Sequence, residues 1–184
     1  IILLLASQPD IGQTILIFFT WLALIFISGI NLYLFFSFFS VILFSVASLI
    51  LFFPKFQYIL IRITSFFDPS SGNNYQAEKA SEAIISGGFF GKGIGEGVLK
   101  NKVPEAHTDY IISVISEEFG VIANILILLI FLVLIYSIFK KIYFEKEDKL
   151  KLVLVGCTSL ILMQAMIHIG VNIRLFPTTG MTLP

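Results

Sequence analysis

Residues 32–53 read LYLFFSFFSVILFSVASLILFF, an apolar run without a single charged side chain. A run of that kind satisfies the requirement of about 20 apolar residues for a helix that crosses a hydrocarbon core. Just upstream, Ile11 to Ile30 is a second run of spanning length, and the two together predict a tight helical hairpin. Before them, Ile1 to Ala6 reads as the tail of a further span. It is closed by Gln8-Pro9-Asp10, where a proline and a capping aspartate suit a helix start. Downstream, about Val121 to Phe139 and about Leu152 to Val171 are two more spans, separated by the charged segment Lys140 to Lys151. The sequence therefore predicts four complete spans and a fragment of another.

Composition agrees with this reading. The chain has 184 residues, of which 57% are apolar and 13% charged, outside the usual range of soluble globular domains. Its mean hydropathy is +0.96. Twenty phenylalanines among so few charges suit lipid-facing surface rather than water. Twelve basic and twelve acidic residues cancel, so neither a basic stripe for nucleic acid nor an acidic interaction arm is present. Cys157 is the single cysteine, which excludes an internal disulfide and any multi-thiolate zinc or iron–sulfur site. A chain that starts at Ile1 and stops at Pro184, just after Thr182-Leu183, reads as an internal piece of something longer.

The predicted fold is all-α, a polytopic transmembrane helix bundle with a large extracytoplasmic loop, forming one integral membrane domain over residues 1–184. Orientation follows from lysines in short loops, which favour the cytoplasm. Lys140, Lys141, Lys146, Lys149 and Lys151 place segment 140–151 there. Residues 1–54 then carry transmembrane helices, 55–118 the extracytoplasmic loop, 119–172 two transmembrane helices with the cytoplasmic loop between them, and 173–184 a second extracytoplasmic segment.

The long loop is the only sizeable polar region, and loops of that length usually carry function. It opens with an amphipathic stretch, Phe56 to Phe67, followed by the turn cluster Asp68 to Asn74 and a helical patch around Tyr75 to Ile85. Then come alternating glycines at 91, 93, 95 and 97. Such glycines serve either a conformationally demanding packed loop or a backbone that approaches a diphosphate. Established nucleotide-binding patterns are absent, since neither Gly-Lys-Ser/Thr nor a βαβ unit is present.

Pro104-Glu105-Ala106-His107-Thr108-Asp109 has the form of a helix start, with Thr108 as N-cap and Asp109 in the first turn. The helix is expected to run on through Glu117 and Glu118 into the next span. Asp109, Ser113, Ser116, Glu117, Gly120 and Asn124 fall on one face of it. A second polar seam, Gln164, His168 and Asn172, recurs at steps of four in the last span. Polar groups inside a bilayer either join helices or line a watery cleft, and two neighbouring seams point to a shared cleft open to the outside. His107 lacks a second histidine at ligand spacing, so no metal site is assigned. Ser113 lacks the Gly-x-Ser-x-Gly elbow of a hydrolase.

Taken in order, several blocks resemble the SEDS family of bacterial cell-wall proteins, the group of FtsW, RodA and SpoVE. They are Gln8-Pro9-Asp10-Ile11-Gly12, Arg62-Ile63-Thr64-Ser65-Phe66-Phe67-Asp68-Pro69 and Gly72-x-x-Tyr75-Gln76. Ser86-Gly87-Gly88-x-x-Gly91-x-Gly93-x-Gly95, Pro104-Glu105-Ala106-His107-Thr108-Asp109-Tyr110 and Glu117-Glu118-x-Gly120 continue the series. Gln164, Gly170-Val171 and Pro177-x-x-Gly180 close it, and Thr182 favours the FtsW-like branch. Three positions depart from the family's habit, Ile59 for an arginine, His168 for an asparagine and Thr179 for a lysine.

The resemblance implies a ten-helix membrane bundle of which this chain supplies the end of the fifth helix through the ninth. It also implies a peptidoglycan glycosyltransferase that polymerises lipid II during bacterial cell division, in the bacterial cytoplasmic (inner) membrane. Asp109 is then the catalytic base, and undecaprenyl diphosphate the leaving group. Substrate binding is expected of Arg62, Lys55, Lys100, His107, Glu117 and Gln164, with the lysines standing in for the missing arginine at Ile59. The resemblance assigns no cofactor and leaves a divalent cation open. The implied partner is a class B penicillin-binding transpeptidase with other division proteins. Phe56, Phe66, Phe67, Phe89 and Phe90 are candidate contacts. A lipid II flippase and a non-catalytic division scaffold are the alternative functions. A carboxylate of ordinary pKa, about 3.9, is a weak base, so the reading expects partial burial beside Glu117 to raise that of Asp109.

Overall fold

The computed structural model describes residues 4, 5, 8, 10–67, 75–98 and 106–184, except for the side chain of Lys55. Every regular element among them is helical. Helix α1 (Ile11–Ile27) begins where the sequence supplies a cap, the Asp10 carboxylate accepting the Gln13 N–H at 3.0 Å. It closes at Ser28, ahead of Gly29. Helix α2 (Leu32–Phe52) is capped by the side chain of Asn31, which accepts the Tyr33 N–H at 3.0 Å. A 3-10 turn (Pro54–Phe56) leads into α3 (Gln57–Phe67), followed by α4 (Tyr75–Gly87), α5 (Ile111–Phe119), α6 (Val121–Phe144) and α7 (Asp148–Asn172).

Among the described residues three helices, α2, α6 and α7, are long and apolar enough to cross a membrane, which makes this a multi-pass membrane protein. Four complete spans were expected from the sequence. The other one, α1, has 17 residues, and at ~1.5 Å per residue it covers about 25 Å of a ~30 Å core. Its early stop at Ser28 is the reason.

The predicted hairpin forms but is splayed. Helices α1 and α2 meet through rings, with Phe18 and Phe39 stacked at 6.4 Å, Trp21 and Phe38 at 5.9 Å, and Phe26 and Phe35 at 5.8 Å between centroids. Rings of that size hold the two backbones apart and leave an apolar groove of about 730 Å³. The closest packing of α1 is on α7 instead.

No residue of α2 or α6 is buried, as suits helices whose solvent is lipid. The buried apolar cluster lies elsewhere. It gathers Leu16 from α1, Ala80 from α4, Tyr110 and Val114 at α5, Ile167 and Val171 from α7, and Met181. The core thus sits where the polar loop folds onto the spans.

Within that loop, α4 turns Ala77, Ala80, Ala83 and Gly87 inward and packs on α5. Small residues let the two backbones approach closely. A Cβ on Gly87 would strike the Ser116 carbonyl. Helix α5 differs from its sequence expectation at both ends. It starts at Ile111, with Tyr110 rather than Thr108 at the N-cap and no side-chain cap bond, because residues 106–110 form a turn. It ends at Gly120, whose φ of 80° breaks the helix before α6. Another residue there would be strained, and its Cβ would meet the Phe89 carbonyl.

The lysine-rich connection is also shorter than predicted. Helices α6 and α7 extend into segment 140–151, and only residues 145–147 lie between them. Lys141 occupies the last turn of α6, where positive charge complements the helix end. Lys151 pairs with Asp148 at 3.6 Å in the first turn of α7.

Candidate active site

Asp109 is half-buried in the turn that Ala106 and Tyr110 anchor in the core. Its peptide is fixed from α7, where the Asn172 side-chain amide donates to the Asp109 carbonyl at 3.0 Å. The same amide donates to the His168 carbonyl at 2.9 Å, and its oxygen accepts from the Ser113 hydroxyl at 2.8 Å. Asn172 is fully buried with every polar atom engaged, which is what makes a buried amide affordable. The two polar seams seen in the sequence therefore do converge, and Asn172 is where they join. Deeper along α5, Asn124 of α6 bonds the Ser116 hydroxyl.

The rest of the α7 seam does a different job from lining a cleft. Gln164 donates to the Thr182 carbonyl at 3.1 Å, and His168 Nδ1 lies 2.7 Å from the Met181 carbonyl. A carbonyl only accepts, so Nδ1 carries the proton. On the other side, Arg62 Nη1 donates to the Thr178 carbonyl at 3.1 Å. Segment 177–184 is thus tied down by its carbonyls along α7, and α1 meets it where Met181 packs against Gly12. This path brings Gly180 against the catalytic candidate. A Cβ built on Gly180 would stand 3.6 Å from Asp109 Oδ2.

Beside this segment lies a cavity of about 270 Å³, lined by Tyr58, Arg62 and Ser65 of α3, Ala77 of α4, and Arg174, Pro177 and Thr178 among others. Arg62 was expected here. Arg174 was not, because a lone arginine just past an apolar helix reads as an interfacial anchor, and the backbone turn that places it leaves no sequence pattern. Tyr110, whose burial together with the neighbouring Asp109 charge pushes its phenol up to about 12, also feels an opposing pull from Arg62.

Glu117 is completely buried and faces the glycine loop. Its Oε1 accepts the Val98 N–H at 3.0 Å and pairs with Lys92 Nζ at 3.3 Å. The loop backbone is held as well, with the Lys92 and Gly93 N–H groups donating to the Glu117 and Glu118 carbonyls at 2.9 and 3.0 Å. Those donors are consumed by packing and do not cradle a phosphate. His107 is exposed. Lys100 lies outside the described residues, as does the Lys55 side chain. Among the described residues no cluster of three or more His, Cys, Asp or Glu is placed to hold a metal ion.

The family model described as "Cell cycle protein", which covers FtsW, RodA and SpoVE, matches residues 1–184. The chain belongs to the FtsW/RodA/SpoVE family. Similar family members include a probable peptidoglycan glycosyltransferase FtsW of Caulobacter vibrioides, 36% identical over 98% of this chain and 46% of the relative. Another, of Francisella salina, carries the same name and is 36% identical over 100% of this chain and 47% of the relative. The chain thus spans about half the length of these FtsW relatives. A solved structure described as "Structural coordination of polymerization and crosslinking by a peptidoglycan synthase complex" shares the fold with a TM-score of 0.70 at 24% identity. It covers 98% of this chain and 50% of the solved one.

Proposed function

We propose that the whole protein is a peptidoglycan glycosyltransferase that polymerises lipid II in the bacterial inner membrane during division. The observation that carries this reading is the placement of Asp109. In a family whose relatives bear that enzyme name, its carboxylate lies against Gly180, two residues from the carbonyl that Arg62 holds.

In the proposed reaction, the acceptor sugar hydroxyl attacks the donor's anomeric carbon and forms the new glycosidic C–O bond. Its proton passes to Asp109 acting as general base. The bond from the anomeric carbon to the diphosphate oxygen breaks, and its electron pair leaves with undecaprenyl diphosphate, steadied by Arg62. One carboxylate suffices for such a single inverting displacement. Asn172, bonded to the Asp109 carbonyl and to Ser113, keeps the base's backbone from shifting. No step of this reaction is assigned to a divalent cation.

Residues 55–118 and 173–184 are assigned to the extracytoplasmic face, where lipid II polymerises, and the connection at 145–147 to the cytoplasm. A glycan strand still needs cross-linking, and the single Ser-x-x-Lys spacing of this sequence, Ser137 to Lys140, lies on the apolar helix α6 without the Ser-Asp-Asn and Lys-Thr-Gly partners of a penicillin-binding transpeptidase. A class B penicillin-binding transpeptidase is therefore the proposed partner. A complex that polymerises and cross-links is the subject of the solved structure sharing this fold. The test is to purify the full-length protein with and without its cognate transpeptidase and measure glycan chains made from lipid II. Chain formation by the complex supports the reading, and complete inactivity of a folded complex contradicts it.

A further inference from the structure

Helix α7 ends in a motif that normally requires glycine. The Leu175 N–H donates to the Gly170 carbonyl at 2.7 Å, and the Arg174 N–H donates to the Val171 carbonyl at 3.1 Å. This pair of bonds reverses the chain through one left-handed residue, usually glycine. Here that residue is Arg174, with φ at 60°, the only non-glycine residue with positive φ among those described. Such strain persists where the side chain has work that a glycine could not do.

The side chain lines the cavity of about 270 Å³ that Arg62 enters from α3. Among the described residues that line the cavity these two arginines are the only charged ones. Two positive side chains beside one small space repel each other less when an anion lies between them. Their planar forks suit the oxygens of a phosphate or diphosphate. The cavity is too small for a lipid-linked sugar but adequate for its charged headgroup. Its Thr178 wall lies two residues from Gly180, which abuts Asp109.

We infer that Arg174 is, with Arg62, the second arm of a two-arginine clamp for a diphosphate. The inference rests on the glycosyltransferase reading for its ligand's origin but is tested separately from it. The full-length protein in nanodiscs is titrated with inorganic diphosphate and, in a second arm, with undecaprenyl diphosphate, while thermal unfolding is followed in parallel. Arg174→Gly, which relaxes the backbone, is expected to weaken binding about tenfold or more without lowering the melting temperature, and Arg174→Lys to lose less. Loss with both probes assigns the site to the lipid headgroup. Loss with the inorganic probe alone keeps the clamp and assigns it to a soluble anion. Unchanged affinity of Arg174→Gly for both probes overturns the proposal. So does a loss of affinity that comes with a fall in melting temperature, because the arginine would then serve the helix end. Asp109→Asn is expected to bind diphosphate like the wild type. If that variant polymerises normally while Arg174 still governs binding, the base assignment falls and the clamp stands.

Discussion

Asn172 holds Asp109 by the backbone rather than by the carboxylate, its side-chain amide donating to the Asp109 carbonyl at 3.0 Å from a site with no solvent access. Asp109, the proposed base, is therefore oriented by a residue more than sixty positions away in sequence, through a bond that leaves the carboxylate itself out of the contact. Asn172→Ala would leave the Asp109 carbonyl and the Ser113 hydroxyl without this partner, at about 1–3 kcal/mol for each group left unsatisfied. The expected outcome is a lower melting temperature together with a lower kcat for glycan synthesis. Wild-type kcat in Asn172→Ala would show that the bond does not orient the site.

Glu117 and Lys92 form the other buried polar contact of the loop, unequal in exposure, with side chains at 0% and 38%. Removing the lysine takes a cation away from a buried carboxylate, whereas Glu117→Gln removes the charge and can keep accepting the Val98 N–H. Lys92→Met is expected to destabilise by roughly 1–3 kcal/mol, reduced from the fully buried case because Lys92 is partly in water. Glu117→Gln is expected to cost less. Limited proteolysis across residues 88–98 reads this order directly, and equal protection in the two variants would contradict it.

The glycines separate into tight and roomy positions. Gly87 sits where any Cβ would collide with the backbone of α5, while Gly95, at φ 83°, has open space around its missing Cβ. Gly95→Ala should cost only the left-handed backbone penalty, about 1–2 kcal/mol. Gly87→Ala should force α4 away from α5 and lower the yield of folded protein sharply. Detergent-solubilised yield and melting temperature measure both, and comparable effects would argue against the close approach of the two helices.

Tyr110 supplies a pH signature. Its phenol is held neutral up to about 12, chiefly by burial and secondarily by Asp109. In the unfolded chain a tyrosine ionises near pH 10. Stability from this group is complete below pH 10 and declines as pH rises towards 12, because the unfolded state loses its proton first. Tyr110→Phe is expected to flatten that decline. Alkaline unfolding curves that coincide for the two proteins would refute it.

Much of the fold could be read from the sequence, because lipid imposes one rule on every residue of a span. The runs at Leu32 and Val121 needed only length and apolarity, and α2 and α6 follow them closely. Ends were harder. Gly120 looks like one more small residue on a helical face until Phe89 is packed against it. Lys140 and Lys141 look like loop charges, although a helix can carry them in its last turns. The site was legible where spacing encodes a shared face, as with His168 and Asn172 on α7. It was illegible where tertiary contact decides the role. Gln164 and His168 bind carbonyls of a segment that carries no pattern of its own, Glu117 is drawn to the glycine loop, and Arg174 reaches its cavity through a backbone conformation that sequence does not announce.

The central claim is that Asp109 is the general base of glycan polymerisation. Its most direct measurement is the rate of lipid II polymerisation by full-length Asp109→Asn, in complex with the transpeptidase and with folding verified by its melting temperature. Asparagine preserves shape and the backbone bond to Asn172 but accepts no proton, and loss of a general base costs roughly 10²–10⁴-fold in rate. The account predicts a loss of at least that order with an unchanged melting temperature. Polymerisation at the wild-type rate would contradict it.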